Sequence, residues 1–241
     1  MPYILIGRPG FNIYADELCR YDFTPIPLPP ENRLSKTVQT HADTLIFSDG
    51  TTHIVNAEYA KLLPKNISER MKKAPETPFG AYPDDTAFNA LPVGRYLFAR
   101  LASLSPTVRS TAEENGLMPV NVKQGYARCS TLALRGARAA VTADEGMAKV
   151  LESHGIRVLR ISPGHIELSG CDYGFIGGAS FVHEPYSCCS LHETAPTVYF
   201  FGNLRTHPDC DKIERFLSGF GYRTVCLGGK LTDYGGAVIL S

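Results

Sequence analysis

Cys129-Ser130-Thr131-Leu132-Ala133-Leu134, then Gly136, Ala139-Ala140-Val141-Thr142, Ala143-Asp144-Glu145 and, beyond Gly155, Ile156 to Ile161, is the stretch from which the architecture can be read. Thr131 to Leu134 and Ala139 to Thr142 are short apolar runs separated by a glycine turn, which predicts two paired strands. Ala143-Asp144-Glu145 opens a helix in which Met147, Val150 and Leu151 recur at helical spacing. Gly155 stops that helix, and Ile156, Val158, Leu159 and Ile161 predict a third strand. The order is strand, strand, helix, strand.

The same order recurs on both sides. Towards the C-terminus it runs through Ala179 to Val182, Thr197 to Phe201, a helix from Pro208 to Gly219 and a strand from Tyr222 to Leu227. Upstream, Asn89 to Val93 and Arg95 to Phe98 precede a helix near Thr107 to Glu114 and a strand from Met118 to Val122. A looser copy has strands Asp43 to Phe47 and His53 to Val55, then a helix from Ala57 to Leu63. Ala237 to Leu240 reads as the lone strand of a fifth copy, with Tyr3-Ile4-Leu5-Ile6 as its natural partner. Starts about 40 to 60 residues apart are the signature of a repeat architecture. Joining the two end strands would close a ring and remove exposed sheet edges. The proline-rich segments Tyr21 to Lys36 and Lys72 to Asp85 read as surface connections, and no linker divides residues 1–241, so one domain is expected.

Lys plus Arg and Asp plus Glu number 24 each, so no overall field steers the chain towards nucleic acid or an acidic membrane. No apolar run approaches the ~20 residues that span a bilayer. Seven cysteines without a recurring spacing, behind a start that lacks a signal-peptide core, predict reduced thiols and a cytoplasmic location.

A ring of five such units, each inner strand opened by Gly-Gly, Asp, Asn or Ser, resembles the pentein α/β-propeller, a five-bladed pseudo-symmetric fold. That superfamily includes arginine deiminase, agmatine deiminase, amidinotransferase, dimethylarginine hydrolase and a non-enzymatic ribosome anti-association factor. The phrases Gln124-Gly125-Tyr126-Ala127-Arg128-Cys129-Ser130, Gly164-His165-Ile166-Glu167-Leu168 and Gly174-Phe175-Ile176-Gly177-Gly178 also resemble an uncharacterised bacterial family related to penteins. The repeat resemblance extends from about Asp43 to Ser241. Guanidine-modifying penteins carry a Gly-His-x-Asp/Glu segment, which Gly164 to Glu167 resembles, and a cysteine nucleophile in the last repeat. The segment Gly235-Gly236-Ala237-Val238-Ile239-Leu240-Ser241 has no such cysteine.

Guanidine modification needs a thiolate to attack the central carbon, a histidine to protonate the departing nitrogen and carboxylates to clamp a cationic substrate. Cys129 is the thiol at an inner-strand opening, and His165 with Glu167 opens another inner segment, so the three form a candidate relocated catalytic set. A buried free cysteine packed as a small apolar residue is the competing reading. Asp43, Asp85, Asp172 and Asp233 occupy comparable openings and could bind a cation, although each could equally cap a turn. Asn89 opens its own strand, and Gln124 with Tyr126 brackets a glycine just before Cys129; these complete the substrate-binding set.

Gly174 to Ser180 lacks the lysine of a phosphate-binding loop, and glycines that let strands approach explain it better. His183, Cys188, Cys189 and His192 form no zinc-knuckle spacing, so a variable loop without metal is expected. His207 and Cys210 read as a solvated helix start, and Lys65 to Lys73 as a solvated helix face. No cofactor is implied. Two functions remain open: a small-molecule enzyme acting on a guanidino, amidino or related amide group through a thiol–His site, or a non-catalytic protein binding a small cationic ligand or a macromolecular partner.

Overall fold

The computed structural model describes residues 1–76, 80–184 and 195–240. The chain runs through β1 (Tyr3–Gly7), α1 (Arg8–Arg20), β2 (Thr24–Leu28), α2 (Ala42–Leu45), β3 (Ile46–Ser48), β4 (His53–Asn56), α3 (Lys65–Ser68) and β5 (Lys72–Ala74). It continues with β6 (Leu91–Val93), β7 (Tyr96–Ala99), α4 (Pro106–Glu114), β8 (Met118–Asn121), β9 (Thr131–Leu134), β10 (Ala139–Thr142), α5 (Glu145–Ser153) and β11 (Arg157–Arg160). The last elements are β12 (Ser180–His183), β13 (Thr197–Phe200), α6 (Cys210–Gly219), β14 (Arg223–Cys226) and β15 (Ala237–Leu240).

The strands form five three-stranded sheets, β15-β1-β2, β3-β4-β5, β6-β7-β8, β9-β10-β11 and β12-β13-β14. In each the middle strand is antiparallel to the first and parallel to the third. A parallel return needs a crossover, and a helix lies in it in all five units, reduced between β4 and β5 to the single turn of α3. The helix starts follow local chemistry. The Asp144 carboxylate accepts the Met147 N–H at 2.8 Å to begin α5, and the Ser105 hydroxyl accepts the Val108 N–H at 3.2 Å to begin α4.

The expected end-to-end pairing is present, with Tyr3 opposite Leu240 and Ile6 opposite Ala237. Several expectations are corrected. The fifth unit is complete rather than a lone strand, because β15, β1, α1 and β2 together make it. Its outer strand is the proline-rich Thr24-Pro25-Ile26-Pro27-Leu28, read above as a connection. Two prolines fit there because β2 pairs on one side only, with β1, and a strand edge does not require their missing N–H. Lys72–Ala74 is likewise an outer strand rather than a connection, and Lys65 to Lys73 is not one helix face. Asp43-Thr44-Leu45 is a helical turn rather than strand, since the N–H groups of Thr44 and Leu45 donate to the His41 carbonyl at 3.1 and 3.0 Å. The helix expected over Ala57 to Leu63 is only a tight turn over Tyr59–Leu62, ended by Pro64.

Each sheet shares an apolar core with the next. Leu5 and Val238 pack with Leu45, Ile46 and Val55. Phe47 and Ile54 pack with Leu97 and Val108. Leu91 and Phe98 pack with Ala140, Met147 and Leu151, while Leu132 and Val141 pack with Val198, Phe200, Ile213 and Leu217. Phe181 and Tyr199 return to Ile4, Ile6, Tyr14 and Leu18 of the first sheet, so every sheet has two neighbours in a cyclic order.

Candidate functional site

The residues that open the first strand of each sheet converge, and they are polar where the surrounding core is apolar. Cys129 closes a tight turn ahead of β9, with the Ser130 N–H donating to the Tyr126 carbonyl at 2.9 Å. Its thiol donates to Asp43 Oδ2 at 2.8 Å and accepts the Asn89 Nδ2–H at 3.2 Å. Asn89 Oδ1 accepts the Arg128 backbone N–H at 2.8 Å, and Arg128 Nη2 donates to the Ala237 carbonyl at 3.0 Å. Three strand openings are thereby tied to one sulfur atom and to the start of β15.

A second layer surrounds them. Asp233 accepts the N–H groups of Phe175 and Gly235 at 2.9 and 2.8 Å, and its Oδ1 lies 4.0 Å from Nδ1 of His41. His41 is buried, and that Nδ1 has no hydrogen-bond partner. Asp85 accepts the Tyr126 hydroxyl through Oδ2, while its buried Oδ1 is without a partner. Gln124 accepts the Tyr126 N–H at 3.1 Å and donates to Asp144 at 2.8 Å.

Burial dominates the electrostatics. It pushes the Asp43 carboxyl up to about 6, with His41 opposing and Asp233 reinforcing the shift. Burial also raises Asp233 and Asp85, and it raises the Cys129 thiol, to which Asp43 and Asp233 add. The Arg128 guanidinium is lowered by burial. A carboxylate held for structure behaves in the opposite way: the hydrogen bond from Lys212 holds Asp209 well below the usual range. Carboxylates kept in surroundings that disfavour their charge cost stability, and such groups concentrate at functional sites.

A cavity of about 540 Å³ runs along the same strands and is bordered at their far ends by Ser48, Arg135, His183 and Glu184. Its floor includes Arg128, Gly177 and Gly236, and a Cβ added at Gly236 would lie 3.9 Å from Asp43 Oδ2. The cluster therefore lies directly behind the cavity floor.

The structure brings together seven of the ten residues singled out in the sequence: Cys129, Asp43, Asn89, Asp85, Tyr126, Gln124 and Asp233. It does not bring His165 or Glu167 to the thiol. His165 is exposed and packs edge-on against His207 at 5.4 Å between ring centres. The Glu167 side chain pairs with Lys230 at 2.7 Å at the surface, and only its main-chain carbonyl reaches inward, accepting the Asp233 N–H at 2.8 Å. Asp172 is exposed. The Gly-His-x-Glu segment fails to reach Cys129 because residues 162–165 and Glu167 lie at the surface, and the chain packs against the Asp233 side chain only from Gly174 onwards. His41 and Arg128 were not singled out. His41 lies two residues before Asp43 and Arg128 one residue before Cys129, so widening each opening by two positions would have found both.

His207 and Cys210 are buried, not solvated. The His207 ring bridges the Ser162 carbonyl at 3.2 Å and the Asp209 N–H at 3.1 Å, which is a structural role. The His183–His192 loop falls for the most part outside the described residues.

His53 on β4 gives a stability prediction. Burial lowers its imidazole to about 4, Asp49 opposes that, and Arg128 and Arg135 add to it. The unfolded chain thus takes up this proton near pH 6.5 and the folded chain only near 4. This contribution is complete above pH 6.5 and is lost as pH falls towards 4, by about 3 kcal/mol. Denaturant unfolding between pH 7 and 4 should show His53→Leu losing that much less stability than the wild type. Equal slopes would remove the assignment.

No helix among the described residues is long and apolar enough to cross a membrane. No curated protein matches the chain. Residues 12–238 match the model described as a family of unknown function, DUF6873, and the chain belongs to that family.

Proposed function

We propose that the five sheets close into a five-bladed α/β-propeller of the pentein type, and that the chain is a small-molecule enzyme acting on a guanidino or amidino carbon through Cys129. The cyclic order of shared cores and the pairing of β1 with β15 support the ring. One observation carries the activity: the Cys129 thiol donates at 2.8 Å to Asp43, a buried carboxylate, beside a buried histidine.

In this mechanism His41 takes the role that the Gly-His-x-Glu segment would have given His165. Asp43 accepts the thiol proton, and the sulfur lone pair forms a bond to the planar carbon while the C=N pair moves onto nitrogen. The protonated His41 ring gives its proton to the leaving nitrogen as the C–N bond breaks, and the C=N bond reforms. Water, or an acceptor amine, then attacks the S-amidino intermediate and returns a proton to His41. The departing sulfur recovers its proton from Asp43. Asp233 and Asp85 hold the substrate's N–H groups, and their charge selects a cation. A resting thiol raised by burial is protected from oxidation, and its proton leaves only once a bound cation offsets the surrounding carboxylates. A free thiol at work suits a reducing compartment, the cytoplasm.

The test is a screen of guanidino and amidino compounds for released ammonia or amine, paired with thermal shift. The wild type should turn over at least one of them, and Cys129→Ser should lower the rate at least about 100-fold while retaining binding. Equal thermal shifts in both proteins with no turnover would instead make the chain a non-catalytic binder of a small cation.

A further inference from the structure

We propose that His41, Asp43 and Cys129 form a binding site for a zinc ion. One ligand atom from each, a ring nitrogen, a carboxylate oxygen and a sulfur, lies within 4.8 Å of the other two, and all three residues are buried. Ligand atoms around a tetrahedral zinc ion are about 3–4 Å apart, so closure needs only small side-chain adjustments.

The second observation is His41 itself. It is 4% exposed, and its Nδ1 has no hydrogen-bond partner, although a buried imidazole nitrogen normally has one. A nitrogen, an oxygen and a thiolate are the donors of borderline-soft metals, not of calcium or magnesium. Three protein ligands are one short of the four that close a structural zinc centre. Asn89 supplies an outer contact, its Nδ2–H donating to the sulfur at 3.2 Å, as such amides do around metal thiolates.

The two segments that carry the ligands, His41 with Asp43 and Cys129, are far apart in sequence, yet their main chains are anchored. The Asp43 N–H donates to the Gly235 carbonyl at 3.0 Å, and the Cys129 carbonyl accepts the Gly178 N–H at 3.0 Å. A preorganised site of this kind binds without refolding. Binding forms the Zn–S bond and releases the thiol proton to solvent.

The same sulfur cannot hold zinc and attack carbon, so on the thiol-enzyme reading zinc is a reversible inhibitor of this chain. That link rests on the proposed function; the metal site does not.

Cobalt titration of the chelator-treated, full-length protein tests it, since a Co–thiolate bond gives a near-ultraviolet charge-transfer band. One equivalent of cobalt should produce the band, and one equivalent of zinc should abolish it. Cys129→Ser should remove the band. Asp43→Asn and His41→Ala should each weaken zinc binding at least about 10-fold. Cys210→Ala, in the second group of neighbouring donors, Cys210, Asp211 and Glu214, should leave the band unchanged. Circular dichroism on each variant separates lost metal from lost fold. No band, or a band that survives Cys129→Ser in folded protein, overturns the site. Turnover measured on metal-free protein reports separately on the thiol mechanism. If Cys129-dependent turnover is present but zinc does not suppress it, the inhibitory link fails.

Discussion

Replacing Gly177 by alanine is expected to remove about 3 kcal/mol or more of folding stability, read as a lower denaturant midpoint with an unchanged slope. The new Cβ would lie 2.2 Å from the Arg128 carbonyl oxygen, 2.6 Å from that of Thr131 and 2.7 Å from that of Cys129. All three belong to the turn that carries Cys129 into β9. A carbonyl held in a turn cannot swing aside as a flexible side chain can. Gly178→Ala meets a side chain instead, placing its Cβ 1.9 Å from Asp233 Oδ1, so it should displace that carboxylate from the cluster. Gly219→Ala, at the end of α6 with nothing within 4 Å, is the control and should be neutral or stabilising by about 0.5 kcal/mol. If Gly177→Ala were as mild as the control, the close approach of β12 to the Cys129 turn would be wrong. The same contacts explain why this glycine run is a packing feature and not a phosphate cradle.

Asp43→Asn should act in the opposite direction on stability and in the same direction on function. Burial pushes the carboxyl up to about 6, so at pH 8 the folded protein carries a charge that its surroundings disfavour. Asparagine keeps the shape and removes the charge, with an expected gain of about 2 kcal/mol at pH 8, several degrees in Tm. Turnover of any guanidino or amidino substrate should be lost, because the thiol proton would have no acceptor. Gained stability with lost function is the signature of a residue retained for chemistry. A loss of about 2 kcal/mol would instead make Asp43 a structural acceptor for Cys129 and Thr44.

Much of the molecule was legible in local pattern. Strands β9, β10 and β13 and helices α4, α5 and α6 lie where apolar spacing, a capping residue and a stopping glycine placed them. Helix α1 was missed although Gly10, Tyr14 and Leu18, its buried residues, recur every fourth position. Strand β2 was missed because proline normally argues against a strand, and only its place at a sheet edge makes two of them tolerable. The turn at Asp43 read as strand because Leu45, Ile46 and Phe47 are consecutive apolar residues, a pattern that does not separate a buried strand from a buried turn.

The candidate site divides in the same way. Repetition marked the strand openings, and seven of the ten residues taken from them do share one cluster. Which histidine accompanies Cys129 could not be read from the motif. His165 belongs to the more suggestive phrase, yet the path of the chain after β11 leaves it in solvent beside His207, while His41 is buried against Gly235, just ahead of β15. By itself the sequence determined the repeating unit, because strand, turn and helix preferences act over a few residues. Only the tertiary structure decided which polar groups share a core. That depends on the cyclic contact of sheets distant in sequence, and on the burial that raises Asp43, Asp233 and Cys129 together.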